Sequence, residues 1–292
     1  MASWERLNPH LLRYFLAISR AGSLSGAAKS LHCVPSNVSA RLRQLEEQLG
    51  VSLFRRQTQR LSLTPAGERL LPHAEQFEQL CRQAWHSVQD DPWSGELRLG
   101  SMETTAAVRL PEVLATFHRE APRVNLSLIT GTSQHLVQEV LAGRLDAALI
   151  GGPYRHPQLL EEVVWREELV LVLPARARLD AVAAGPVTLL GFPSGCHYRE
   201  RLERWIERQA LQVAARQSYG SVDAIIGGIA AGMGIGLLPR SLVQSHVRGR
   251  LVAWQPIEPE LAAAPTLLVR RRDAAAHPAL ERLRALLVSE PE

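Results

Sequence analysis

The sequence predicts an α/β protein in two parts: a small N-terminal unit of short helices closed by a β-hairpin, and a larger unit in which strands and helices alternate. Three observations predict it. A chain of 292 residues exceeds the usual domain of about 150 residues and points to two. Apolar residues recur at helical spacing up to Leu49 and change to a two-residue period between Val51 and Thr64. Beyond Gly95, short apolar runs bounded by Gly, Pro and Ser alternate with amphipathic stretches, the pattern of strands joined by helices.

The first helix runs from His10 to Ser19, with Leu11, Leu12, Phe15, Leu16 and Ile18 largely on one face and Gly22 as its terminator. Ser23 is placed to cap a second helix, which carries Leu24, Ala27, Ala28 and Leu31. Val34 and Pro35 open a third, buried through Val38, Leu42, Leu45 and Leu49 and ended by Gly50. Its opposite side holds Ser36, Ala40, Arg43, Gln44 and Glu47, with Asn37 and Arg41 on one shoulder and Ser39 on the other. Leu53 and Phe54, the basic tip Arg55 to Arg60, and Leu61 and Leu63 form the hairpin, a wing. Thr64 caps a long helix to about Gln89 with Pro65 at its first position. The near-heptad apolar face of that helix, from Leu70 to Val88, asks for a partner.

Asp90-Asp91-Pro92-Trp93-Ser94-Gly95 breaks the chain between the two parts. Strands are expected at Leu97 to Gly100, Val124 to Ile129 and Ala147 to Ile150, with helices at Ala107 to Glu120 and Gln134 to Ala142. A second set starts at Glu168, with strands at Leu169 to Leu173, Thr188 to Gly191, Gln217 to Tyr219 and Gly236 to Leu238, and helices at His197 to Gln209 and Val222 to Ala231. A strand at Thr266 to Val269 and a helix from Pro278 to Val288 return to the first half. The sheet is expected to be mostly parallel, and two similar halves imply a cleft.

The apolar fraction of 46% and charged fraction of 21% exclude disordered and fibrous classes. No stretch approaches the roughly 18 consecutive apolar residues of a membrane span, and no signal-peptide core follows the N-terminus. A cytoplasmic protein without membrane contact is expected. Cys33, Cys81 and Cys196 suit neither a disulfide framework nor a zinc cluster. Arginines at positions 41, 43, 55, 56 and 60 concentrate positive charge early in the chain, the footprint of phosphate binding or of a solvated helix face.

Motifs for catalysis are weak. Gly191-Phe192-Pro193-Ser194-Gly195 lacks the spacing of a nucleophile elbow. Gly232, Gly234 and Gly236 follow a helix instead of linking strand to helix, so no dinucleotide is implied. Ten histidines are scattered without a metal-binding pair. No catalytic residue, cofactor or metal is expected.

The run Phe15-Leu16-Ala17-Ile18, Gly22-Ser23-Leu24-Ser25-Gly26-Ala27-Ala28, Val38-Ser39, Leu42-Arg43-Gln44-Leu45-Glu46, Leu53-Phe54-Arg55-Arg56 and Leu63-Thr64-Pro65-Ala66-Gly67 resembles the LysR-type transcriptional regulators. Gly143-Arg144-Leu145-Asp146-Ala147-Ala148 and Gly232 through Pro239 resemble landmarks of that family's periplasmic-binding-protein-like effector domain. The resemblance implies a winged helix-turn-helix over 1–63, a dimerisation helix over 64–91 and an effector domain over 92–292, with subdomain I at about 95–165 and 265–292 and subdomain II at about 166–264. It implies promoter DNA, a small-molecule effector and a second copy as partners, in a homodimer or homotetramer, with RNA polymerase as a further candidate.

Where many relatives carry glutamine and arginine this chain has Pro35 and Ala40, so base reading is expected to shift. Asn37 suits adenine and Arg43 or Arg41 guanine, unless Arg41 pairs with Glu46 or Glu47. Ser36 and Ser39 are placed for phosphate contacts, and Arg55, Arg56 and Arg60 for phosphates or the minor groove. Four strand-to-helix junctions carry hydroxyls or glycine and supply the candidate effector residues: Ser101, Met102, Glu103 and Thr104; Thr132 and Ser133; Ser194, Gly195, Cys196 and Tyr198; and Ser221. Free N–H groups there suit a small carboxylate, and Glu103 hints at an amino group. Cys196 reads either as a pocket-lining residue or as a thiolate favoured by the helix start.

Overall fold

The computed structural model describes residues 7–57, 60–87, 94–182, 184–249, 251–274 and 277–289. Two compact units divide the chain, one of Met1–Val88 and Ala142–Arg144, the other of Gln89–Leu141 and Leu145–Glu292.

In the first unit α1 (His10–Ala21), α2 (Leu24–Ser30) and α3 (Pro35–Leu49) are followed by β1 (Phe54–Gln57), β2 (Arg60–Leu63) and α4 (Pro65–Ser87). Gly22 and Gly50 end α1 and α3 in the left-handed region, which suits glycine. The Ser23 hydroxyl accepts from Gly26 N–H at the start of α2. Phe15, Ile18, Val38, Leu45 and Leu53 are fully buried between the helices and the hairpin, each stabilising by about 1.5 to 3 kcal/mol. β1 and β2 pair antiparallel with Phe54 opposite Leu63, and the Phe54 ring packs 5.4 Å from that of Phe15. Thr64 joins hairpin to helix: its hydroxyl donates to Ser52 O and accepts from Gly67 N–H, while its own N–H donates to Leu53 O. A Cβ on Gly67 would run into Leu53 O, so the backbone approach at this corner excludes any side chain.

The second unit starts with β3 (Gly95–Ser101), α5 (Glu103–Val108), α6 (Leu110–Glu120), β4 (Val124–Thr130), α7 (Ser133–Leu141) and β5 (Ala147–Gly151). The long β6 (Leu159–Pro174) follows, then α8 (Leu179–Val182), β7 (Val187–Gly191), α9 (His197–Arg208), β8 (Val213–Ser218), α10 (Val222–Ala230) and β9 (Gly236–Pro239). The chain closes through α11 (Arg240–Arg248), β10 (Val252–Pro256), α12 (Pro259–Ala262), β11 (Ala263–Arg271) and α13 (Pro278–Ser289).

The sheet is mixed, which corrects the expectation of a mostly parallel one. Seven strands lie in the order β10-β6-β11-β5-β3-β4, with β9 also paired to β6. β3 runs parallel to β4 and β5, and β7 parallel to β8, whereas β6, β9, β10 and β11 pair antiparallel. The cause is β6, which begins ten residues before the expected Leu169 and runs back along β11. The helix expected over Ala107 to Glu120 is two, because Leu110-Pro111 starts α6 afresh after Arg109. Leu97, Leu99, Phe117, Trp165 and Leu283 share one core and Leu169 to Leu173, Leu190, Trp205 and Ile225 another, so two halves form around β6.

Close backbone approach recurs in the second half. A Cβ on Gly234 would collide with Thr188 O and Leu190 Cδ1, where the turn before β9 passes beside β7. Gly234→Ala is therefore expected to destabilise the second unit by about 1 to 3 kcal/mol; a urea midpoint equal to wild type counts against this packing.

Candidate nucleic-acid interface and effector cleft

α2 and α3 form a helix-turn-helix. Val38, Leu42 and Leu45 are buried beneath α3, leaving Ser36, Ala40, Arg41, Arg43 and Glu47 exposed and Asn37 and Ser39 partly so. Arg43 donates to Ser39 Oγ at 3.4 Å and Arg41 to Gln44 Oε1 at 3.0 Å. The carboxylate pairing considered for Arg41 is not what forms, since Glu46 turns to the wing and accepts from the N–H groups of Leu53 and Phe54. Val34 caps α3 without a side-chain bond, so Ser36 and Ser39 are not spent on capping. Arg55 is exposed and donates to Ser62 Oγ at 3.2 Å. The side chains of Arg56 and Arg60 lie outside those described.

In the second unit the parallel pairs β3/β4 and β7/β8 each bring two strand ends to one edge, and the loops leaving them line a cavity of about 160 Å³. β3 and α5 contribute Met102, Glu103 and Thr104; β4 and α7 contribute Thr130, Gly131, Thr132 and Ser133. Phe192, Pro193, Cys196 and Tyr198 come from the junction of β7 and α9, and Gly220 from the loop after β8. Thr132 caps α7 by accepting from His135 N–H, and Ser133 Oγ accepts from Gly151 N–H. The Thr104 hydroxyl reaches across to Tyr198 Oη at 3.5 Å, and Gln134 N–H to Gly195 O at 3.4 Å.

The other candidates do not line the cavity. Ser101 is fully buried and its hydroxyl donates to Met102 O. Ser194 is exposed, Gly195 meets Gln134, and Ser221 caps α10 by accepting from Ala224 N–H. Phe192 and Pro193 carry no signal in the sequence, where hydroxyls and glycines mark the junctions, whereas apolar side chains in the same loops form the walls.

Burial raises the Cys196 thiol above its ordinary range despite N–H groups of α9 that favour thiolate, which counts against the thiolate reading and leaves the pocket-lining one. Burial also raises Tyr198 well above the usual phenol range. Burial and the nearby Arg201 and Arg204 charges lower His197 from 6.5 to about 4, so its ring is neutral near pH 7. Behind α9, Arg201 is buried and donates to the carbonyls of Gly152 and Leu261.

Residues 9–68 match the family described as "Bacterial regulatory helix-turn-helix protein, lysR family", and residues 90–291 match "LysR substrate binding domain". This chain belongs to the LysR family. The HTH-type transcriptional regulator GltR of Bacillus subtilis is 38% identical over 279 residues, covering 94% of each chain. The HTH-type transcriptional regulator SoxR of an Arthrobacter species is 33% identical over 96% of each. Among solved structures, full-length OxyR of Pseudomonas aeruginosa has a TM-score of 0.74 at 22% identity, covering 97% of this chain and 98% of that one. CbnR in complex with its target DNA has a TM-score of 0.68 at 23% identity, covering 96% and 98%. As a LysR-type protein the chain is a DNA-binding transcription regulator with an effector-binding domain, not an enzyme. Among the described residues no helix is long and apolar enough to cross a membrane.

A buried neutral thiol is a poor nucleophile. Cys196 in the native LysR-type chain is expected to react with iodoacetamide at pH 8 at least tenfold more slowly than in the urea-unfolded chain, read by peptide mass spectrometry; equal rates would return it to the thiolate class.

Proposed function

We propose that this LysR-type regulator reads operator DNA through the exposed face of α3, holds the phosphate backbone through its hairpin, and is modulated by a small carboxylate or amino acid in the cleft. The observation that carries the DNA part is the division of α3 into a buried stripe and an outward face on which Arg43 and Arg41 are exposed. Arg43 is assigned to a guanine edge, Arg41 and Asn37 to neighbouring bases, and Ser36, Ser39 and Arg55 to phosphates, with Arg56 and Arg60 joining them on the strength of the sequence. The effector part is supported by the convergence of Thr104, Thr132, Ser133, Cys196 and Tyr198 on one cavity. A cytoplasmic location and contact with RNA polymerase accompany this reading.

A second copy is proposed to pack on α4. Leu80 and Phe77 on that helix are 61% and 37% exposed, and Phe77 borders an apolar groove formed with Leu12, Leu16 and Ala74. Burying such a face in water drives association, and the resulting homodimer can build the homotetramer through its effector domains.

Two measurements test these assignments. On operator sequences selected from a random pool, Arg43→Ala is expected to cost about 1 to 3 kcal/mol of discrimination at one position, while Arg55→Ala weakens all sequences alike and lowers the salt slope by about one. Equal loss of specific and non-specific binding in both variants removes Arg43 from the base edge. Light scattering at micromolar concentration should give a dimer or larger, and Leu80→Glu should shift it toward monomer; a monomeric wild-type chain contradicts the pairing of α4.

A further inference from the structure

Glu103 gives the cleft a charge that no other described side chain lining it balances. It stands in the first turn of α5, partly buried, at the wall of the cavity. Its carboxylate makes no hydrogen bond or ion pair with the described residues. Among the described residues no arginine, lysine or histidine lines the cavity; Arg201, buried behind α9, donates through its two terminal nitrogens to the Leu261 and Gly152 carbonyls, while its Nε is buried without a partner. Cys196 and Tyr198, the other titratable groups at the wall, are both neutral near pH 7 because burial raises them.

A partly buried carboxylate without a counter-ion attracts a cation and repels an anion placed within a few ångströms of it. A cavity of about 160 Å³ holds roughly five waters' share of liquid volume, so a bound anion would lie within a few ångströms of Glu103 and repel it. The first turn of α5 favours the glutamate but leaves its charge in place. The hydroxyls of Thr132 and Ser133 accept from backbone N–H groups and keep their own protons to donate to a guest's remaining polar atoms.

We propose that the effector carries a protonated amine that pairs with Glu103, so that the cleft takes small amino compounds, α-amino acids included, and rejects simple carboxylic acids. This rests on the reading of the cleft as the effector site. It makes Glu103 the specificity-determining residue, ahead of the hydroxyls in the same loops.

The test compares matched probes on the full-length chain by thermal unfolding: the common α-amino acids, their 2-hydroxy analogues, and the primary amines left when the carboxylate is removed, all at equal ionic strength. Ligands that bind only the folded state raise its melting temperature. Amine-bearing probes are expected to raise it and 2-hydroxy acids not to, with Glu103→Gln weakening the amine response at least tenfold in apparent affinity. Gly220→Phe serves as a second variant, because a Cβ there meets nothing within 4 Å and the ring would fill the cavity. If 2-hydroxy acids raise the melting temperature and lose that effect in Gly220→Phe but not in Glu103→Gln, the cleft remains the effector site and the amine pairing is wrong. Shifts that survive both variants place the ligands elsewhere and overturn the cleft reading itself; no shift with any amine overturns the pairing.

Discussion

β6 has to satisfy its backbone over sixteen residues while passing between two hydrophobic cores, and the second unit is arranged around that constraint. Its first part pairs with β11, which continues the sheet to β5, β3 and β4; its second part, Leu169 to Pro174, is flanked by β9 and β10. Just before the change of partners stands Glu167, a buried carboxylate that accepts from Arg109 Nε at 2.8 Å and from Ser241 Oγ at 3.1 Å. Arg109 joins α5 to α6 and Ser241 opens α11, so one carboxylate ties both halves to the crossing strand. Removing either donor would leave a buried charge short of a partner, which costs more than the bond contributes.

With the halves fixed at β6, the cleft follows from strand direction. β3 and β4 run parallel, as do β7 and β8, so their carboxyl ends and the helices that start there can face one another. The helix starts supply N–H groups, while Phe192, Pro193 and Met102 keep the wall apolar. Polarity is thereby limited to a few hydroxyls and one carboxylate, and selectivity can hang on that carboxylate alone.

Much of this was legible in the sequence, because local chemistry and tertiary position agreed. Ser23, Gly22, Gly50, Thr64 and Pro65 announce their helix ends through caps that need no distant partner. The junction residues Glu103, Thr132 and Cys196 carry the same kind of local signal and line one cavity, since a cleft between strand ends gathers whatever stands at those ends. What escaped depended on contacts remote in sequence. The first half of β6 reads Leu-Leu-Glu-Glu-Val-Val-Trp-Arg-Glu-Glu, with adjacent like charges that obscure the two-residue period, and only pairing with β11 makes it a strand. α8, α11, α12 and β10 are short or polar elements that take their form from the core they cover. Cys196 was ambiguous because a helix start and a buried site pull a thiol in opposite directions, and only the degree of burial decides between them.

In the first unit the corner at Thr64 and Gly67 leaves no slack between hairpin and α4, and Glu46 clamps α3 to the same hairpin. α3, the hairpin and α4 are therefore held to one another and turn together. α4 has 23 residues, which at 1.5 Å per residue make a lever of about 35 Å. Tilting it by about 10° at its far end would carry the near end through roughly 6 Å, nearly two base-pair steps at about 3.4 Å each. A small tilt at one end of so long a helix is thus a displacement on the scale of base-pair spacing at the other.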